Sequence, residues 1–159
     1  MPPQATAVEA DYRALAEFRY LVRRFVRFSE EAARAAGVEP QQHQLLLAVK
    51  GMPQGRVATI GELAERLQLR QHSLAELVDR AEEHGLVRRS RGEHDRRQVL
   101  VELTSAGERL LRELSLHHHE QLRQAGPELI RTLTAVMRSI GPRRISIDRA
   151  GTSAEQATR

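Results

Sequence analysis

Residues 59–104 of this chain are TIGELAERLQLRQHSLAELVDRAEEHGLVRRSRGEHDRRQVLVELT, and this stretch decides the fold. Thr59 and Glu62 have the spacing of a capping box, in which a hydroxyl and a carboxylate reciprocally bond free amides at a helix start. The apolar residues that follow have helical spacing, so we expect a short helix whose inward face carries Leu63, Ala64 and Leu67.

A second helix is predicted after the turn formed by residues 68–70. It runs to about His84, and Gly85 is suited to follow its end because glycine readily adopts left-handed backbone. Its first residue is left open, since it can start at Arg70 or, because Ser73 and Glu76 repeat the capping-box spacing, up to three residues later. Two short helices joined by a tight turn form a helix-turn-helix.

A β hairpin is predicted next. Residues 86–90 and 98–103 are short β-prone runs, and the polar segment 91–97 between them contains a glycine. The hairpin region carries five arginines, which are Arg88, Arg89, Arg91, Arg96 and Arg97. Such a cluster alone is typical of a solvated loop. Beside a helix that enters the major groove, however, a basic hairpin can reach the minor groove, whose negative potential attracts arginine.

Helical patterns flank this central region on both sides. Apolar residues recur at three- and four-residue steps from Tyr12 to about Ala36, and a second helix is expected after Pro40. On the carboxyl side a long helix is expected from Thr104, followed by a separate last helix after Pro127. Residues 1–9 and 141–159 are predicted to be flexible. The predicted fold is mainly α, with a two-stranded β wing.

Composition narrows the function classes. The net charge is +4, from 25 basic and 21 acidic residues, and Lys50 is the only lysine. An arginine-dominated set of cations suits phosphate and guanine edges, although it also reflects GC-rich coding. The chain has no cysteine, so thiol redox sensing and Cys-ligated zinc are excluded. No run of about 18 apolar residues predicts a membrane span, and we expect a cytoplasmic protein.

The second helix of the pair is the candidate reader of DNA sequence. A major groove accepts one α-helix, provided that a partner holds it at a fixed angle. Glutamine can bond adenine bidentately, and glutamate can accept from cytosine. The alternative is an ordinary solvated helix face. The candidate contacts are Arg70, Gln71, His72, Ser73, Glu76 and Arg80.

These motifs resemble the MarR-type transcription regulators. The resemblance rests on residues 61–67 (GELAERL), 77–80 (LVDR), 85–87 (GLV) and on Asp-Arg-Arg at 95–97 followed by Leu-Thr at 103–104, and it covers about residues 12–140. It implies a homodimer in which residues 10–40 and 104–140 form a helical dimerisation region, while residues 41–103 form a winged helix-turn-helix lobe that binds DNA.

The resemblance also implies roles for single residues. In the family, the arginine at the position of Arg97 enters the minor groove, and the aspartate at the position of Asp95 orients it. The predicted wing contacts are Arg89, Arg91, Asp95, Arg96 and Arg97. Small aromatic or phenolic ligands often bind between the dimer helices and the lobe and weaken DNA binding. An anionic effector could contact Arg19, Tyr20, Arg23 and His43, although these residues also fit an ordinary helix surface.

Two other chemistries are set aside. The run His117–His119 invites a metal interpretation, but successive helical side chains point about 100° apart and cannot converge on one ion. We therefore expect solvated or interface histidines, no metal and no cofactor. No nucleophile with an adjacent base and no glycine-rich phosphate loop is present, so an enzyme is not expected.

The sequence thus predicts a homodimeric regulator of double-stranded DNA, a repressor rather than an activator, that binds a pseudo-palindromic operator and responds to a small-molecule effector. Two rivals remain open. One is a protein-interaction module whose basic wing meets an acidic partner, and the other is an architectural protein that binds any duplex.

Overall fold

The computed structural model describes the backbone of residues 3–92 and 98–140, and the side chains of residues 9–92 and 98–138. The helices and strands are, in chain order, α1 (Pro3–Ala35), α2 (Pro40–Lys50), α3 (Ile60–Leu67), α4 (Gln71–Glu83), β1 (Val87–Arg91), β2 (Val99–Leu103) and α5 (Ser105–Ile140). The predicted fold class, mainly helical with a two-stranded antiparallel wing, is confirmed.

One apolar core unites the elements between α2 and the start of α5. Five leucines of α2, α3 and α4 are buried in this core, and Leu111 of α5 joins them; the five are Leu45, Leu46, Leu63, Leu74 and Leu77. Helix α4 contributes the inward face that its periodicity predicts, which consists of Leu74, Leu77, Val78 and Ala81. Helix α4 is therefore held on its entire inner side, and only its outer face meets solvent.

The wing is an antiparallel ladder that runs from Val87 opposite Leu103 to Arg91 opposite Val99. The segment before α3 joins it through a single bridge between Thr59 and Leu100, and the Val101 amide donates to the Ala58 carbonyl at 2.9 Å. The wing is thus bonded to the entry of the helix-turn-helix.

Helices α1 and α5 pack against one another. They have 33 and 36 residues, which at a rise of 1.5 Å per residue makes each roughly 50 Å long. No helix within the described ranges 3–92 and 98–140 combines the length and the apolar character needed to cross a membrane.

Three sequence expectations are wrong. Residues 3–9, expected to be flexible, begin α1, because an alanine-rich segment without a breaker follows Pro3 and proline is tolerated in a first helical turn. The start expected for the first long helix, Tyr12, is therefore too late. The two helices expected after Thr104 are one helix, since α5 continues through Pro127. An interior proline removes its own backbone donor and crowds the carbonyl four residues before it, but the turns on both sides keep their hydrogen bonds.

Candidate nucleic-acid interface

Helix α3 is fixed at its start by a side-chain cap. The Glu62 amide donates to the Thr59 hydroxyl at 3.3 Å, as the capping box predicts. The Glu62 carboxylate does not complete the box. It instead accepts two bonds from the Arg56 guanidinium, at 2.6 and 2.9 Å, and this pairing raises the pKa of Arg56. The entry of the helix-turn-helix is therefore tied to the loop that precedes it.

The turn between α3 and α4 depends on Gln68, which has a φ of 54° and so lies in the left-handed region. Its side-chain amide donates to the Glu65 carbonyl at 2.7 Å, and the Leu69 amide donates to the Ala64 carbonyl at 2.9 Å. These bonds close the carboxyl end of α3, so that only residues 68–70 separate α3 from α4.

Helix α4 begins at Gln71, with Arg70 at the N-cap and no side-chain cap. This settles the open alternative in favour of the earlier start. Gln71 and His72 lie in the first turn and are exposed, while Ser73 is half-buried. Arg70, Glu76 and Arg80 are exposed as well. The candidate reading residues thus share the solvent side of a helix whose opposite side is core.

Across the wing, one carboxylate holds the two strands in register. Glu102 of β2 accepts from the Arg88 guanidinium at 2.8 and 3.0 Å and from the Ser90 hydroxyl at 2.6 Å. These bonds, Ser90 first, hold the pKa of Glu102 below its usual value. Arg88 and Glu102 are directly opposite in the ladder, so the pair is a cross-strand contact.

The predicted wing residues fall into three groups. Arg89 lies against α4, where its guanidinium bonds Asp79 and Glu82. Arg91 is exposed where β1 ends. Asp95, Arg96 and Arg97 lie outside the described residues. Sequence reasoning missed Asp79 and Glu82 as partners of the wing, although their three-residue spacing places both on one face of α4.

The four residues predicted to line an effector pocket are not brought together. Tyr20 and Arg23 line an open groove of about 680 Å³ whose lining residues all belong to α1. Arg24 lies over the Tyr20 ring at 5.7 Å. Arg19 is exposed but is absent from that lining, and His43 is buried elsewhere. A sequence pattern shows which residues share a helix face, but it does not show which helix covers that face.

His43 instead forms part of an aromatic cluster between α1, α2 and α5. Its ring lies 4.9 Å from that of His118, which is also edge-on to Phe25 and Phe28. His118 bonds the Leu114 carbonyl through Nδ1 at 2.5 Å and the Ser29 hydroxyl through Nε2 at 2.7 Å. Burial, and then the nearby His118, lowers the pKa of His43 to about 4.

The middle member of the histidine run thus points into the protein, while His117 and His119 are exposed. Among the residues that the structure describes, no group of three or more His, Cys, Asp or Glu side chains is placed to hold a metal ion.

An exposed polar helix, a tight turn and a basic two-stranded wing on a common core define a winged helix-turn-helix protein. The family model described as the MarR family matches residues 36–98. The uncharacterised HTH-type transcriptional regulator YcgE of Bacillus subtilis is 32% identical over 106 residues, which are 67% of this chain and 67% of YcgE. The chain belongs to the MarR family of transcription regulators.

Solved structures show the same fold. A MarR family protein from Bacillus stearothermophilus is 25% identical with a TM-score of 0.63, over 88% of this chain and 96% of that one. A mutant of S. aureus MepR, bound to an oligodeoxyribonucleotide, is 18% identical with a TM-score of 0.58, over 77% and 94%. CouR from Rhodococcus jostii RHA1, bound to p-coumaroyl-CoA, is 20% identical with a TM-score of 0.62, over 77% and 87%.

Proposed function

We propose that the chain is a homodimeric repressor that binds a pseudo-palindromic operator in double-stranded DNA through α4 and the wing. The observation that carries the proposal is the placement of α4. Its inner face is fully buried, while Arg70, Gln71 and His72 are exposed at its amino end. A recognition helix contacts base edges with its amino-terminal residues, so this end is the one that would enter the major groove.

The roles of the side chains follow from their chemistry. Gln71 is suited to adenine and Glu76 to cytosine, because an amide offers a donor and an acceptor together and a carboxylate only accepts. Arg70 and Arg80 suit phosphates at either side of the groove. Arg97 remains the proposed minor-groove contact, on the family resemblance of residues 95–97.

Homodimer formation is proposed from the apolar side chains that α1 and α5 leave in solvent. Ile130 and Met137 are 68% and 62% exposed, and both lie on the carboxyl-terminal half of α5. The other exposed large apolar residues of these two helices are Tyr12, Leu15, Tyr20, Val22, Val26, Leu116, Leu122 and Leu133. Monomeric proteins rarely leave so extended an apolar surface in water. A second copy of the chain would cover it and supply another wall for the groove on α1.

The oligomeric state can be tested by sedimentation velocity on the native chain and on Ile130→Glu. A buried charge at a dimer interface is costly, so we expect the native chain to sediment as a dimer and the variant as a monomer. Val57→Glu is the matched control, since Val57 is an exposed apolar residue of the loop before α3. A native monomer, or a dimer that Ile130→Glu leaves intact, would refute this part of the proposal.

The proposal includes a small-molecule effector that binds on α1. A small aromatic anion would suit the groove on α1, where Tyr20 offers a ring and Arg23 a cation. CouR, which shares the fold, was solved with an aromatic acyl thioester. Benzoate is a suitable first probe, and we expect it to weaken DNA binding by the native dimer and not by Arg23→Ala.

DNA binding itself is tested by fluorescence anisotropy with duplex from upstream of the gene that encodes the chain. Unlabelled duplex of unrelated sequence serves as competitor. We expect binding that survives a large excess of the competitor, because specific sites are bound at least about 10³-fold more tightly than random ones. Equal competition by unrelated duplex would favour the architectural rival. Absence of binding to any duplex would favour the protein-interaction rival.

A further inference from the structure

Arg89 of the wing is bonded to α4 through both its side chain and its main chain. Its guanidinium donates to Glu82 at 2.5 Å and to Asp79 at 2.6 Å, and its Nη2 also reaches the Ala75 carbonyl at 3.4 Å. Its backbone amide donates to the other oxygen of Glu82 at 2.9 Å. A single wing residue therefore makes four bonds to the recognition helix.

The neighbouring Arg88 shows the contrast. It pairs with Glu102 within the wing and its side chain is 67% exposed, whereas that of Arg89 is 30% exposed. A single exposed ion pair adds little to stability. A guanidinium that bonds two carboxylates and a carbonyl, next to a backbone hydrogen bond to one of those carboxylates, is held in one defined geometry. The Arg89 backbone amide, and then its guanidinium, hold the pKa of Glu82 below its usual value, so this carboxylate stays ionised.

The location of these bonds determines their effect. Asp79 and Glu82 lie in the carboxyl-terminal half of α4, and Arg89 lies in the middle of β1. Between them the chain turns at Gly85, which has a φ of 67°. The bonds of Arg89 bridge this turn and thereby fix the angle between the recognition helix and the wing.

We propose that Arg89 is a positioning residue, which sets the wing relative to α4 so that both can reach adjacent grooves, and that it does not itself contact a phosphate. This inference rests on the proposed DNA-binding function. It replaces the sequence expectation that Arg89 belongs with the DNA contacts of the wing. It also gives Asp79 and Glu82 a role, since a carboxylate beside DNA that bonds neither a base nor a neighbouring side chain only repels the phosphates.

A phosphate-contacting Arg89 and a positioning Arg89 predict changes of opposite sign in DNA affinity for the substitution Glu82→Gln. If Arg89 contacted a phosphate, Glu82→Gln would weaken the hold of α4 on its guanidinium and remove a negative charge, and DNA would bind more tightly. If Arg89 positions the wing, the same substitution loosens the wing, and we expect DNA affinity to fall about fivefold or more, as for coupled contacts in one network. Glu83→Gln is the control, because Glu83 is exposed on the same helix and its removal changes the net charge equally.

The experiment compares the native chain, Glu82→Gln, Glu83→Gln and Arg89→Gln by anisotropy with one duplex at several salt concentrations. We expect Arg89→Gln to lose affinity without flattening the salt dependence, because no phosphate contact disappears. We also expect Arg89→Gln to have little further effect in the Glu82→Gln background. Binding by Glu82→Gln as tight as that of Glu83→Gln would overturn the inference.

Amide hydrogen exchange without DNA separates this inference from the proposed function. The bond from the Arg89 amide to Glu82 should protect that amide in the native chain, and Glu82→Gln should weaken the protection while the core amides of α4 remain protected. If the native chain binds no duplex, the proposed function fails, and the exchange of the Arg89 amide alone then decides whether the bridge exists. An Arg89 amide that exchanges equally fast in both proteins overturns it.

Discussion

Gly107 provides the sharpest test of the fold, because no side chain fits at its position. It lies in the first turn of α5, and a Cβ added there would stand 2.1 Å from the carbonyl oxygen of Leu86. Thr104 holds the start of α5 close to Leu86. Its amide donates to the Leu86 carbonyl at 3.1 Å, and its hydroxyl donates to the Gly85 carbonyl at 2.6 Å. Thr104 also accepts from the Gly107 amide at 3.1 Å.

Gly107→Ala must therefore move α5 away from the start of β1 by about 1 Å. Overpacking against backbone costs about 1–3 kcal/mol, and each hydrogen bond lost at Thr104 costs about 1 kcal/mol more. We expect a loss of about 3–5 kcal/mol in the free energy of unfolding, or roughly 10 °C in Tm for a chain of this size. Urea unfolding, followed by circular dichroism at one fixed protein concentration, measures it.

Gly61→Ala is the matched control. Gly61 lies in α3, and the nearest atom to an added Cβ is the side-chain nitrogen of Gln71 at 3.8 Å, an ordinary contact. Because alanine favours a helix by up to about 1 kcal/mol over glycine, this variant should be as stable as the native chain or slightly more stable. A Gly107→Ala protein within about 1 kcal/mol of the native chain would show that the close approach of α5 to Leu86 is wrong.

Three further predictions concern single side chains. Arg97→Ala should weaken DNA binding and flatten its salt dependence, and an affinity unchanged at several salt concentrations would refute the wing assignment. Gln71→Ala should change the preferred DNA sequence, so an unaltered consensus in binding-site selection would exclude Gln71 as a reading residue. Because the folded protein keeps His43 neutral down to about pH 4 while the unfolded chain protonates it near 6.5, its contribution to stability is complete above about pH 6.5 and is lost as the pH falls towards 4. Between pH 7 and pH 4.5 the free energy of unfolding of His43→Phe should therefore fall by about 2–3 kcal/mol less than that of the native chain. The exposed control His119→Gln should show the same change in the free energy of unfolding with pH as the native chain.

Local signals in the sequence predicted the central elements well. The cap at Thr59, the apolar spacing of α3 and α4, and the β-prone runs of the wing each depend on residues a few positions apart. The start of α4 was ambiguous because Ser73 offers a second capping spacing. The structure has the earlier start, since the Leu74 amide donates to the Arg70 carbonyl at 3.0 Å and so closes the first helical turn at Arg70.

Long-range contacts could not be predicted in the same way. The partners of Arg89 lie 7 and 10 residues away, and the ring that contacts His43 lies on α5. Periodicity placed His43 on a helix face but could not show that α5 covers that face. The continuity of α5 through Pro127 is a similar case, because a proline is a strong local stop and only the surrounding helix overrides it.

Sequence-specific binding to a palindromic site can be measured by selection from a random duplex library with the purified native chain. We expect successive rounds to enrich one pseudo-palindromic sequence with half-sites about one helical turn apart, because two copies of α4 would enter successive major grooves. A pool that stays random while protein and DNA still associate, or that yields no bound duplex, would contradict a sequence-specific regulator.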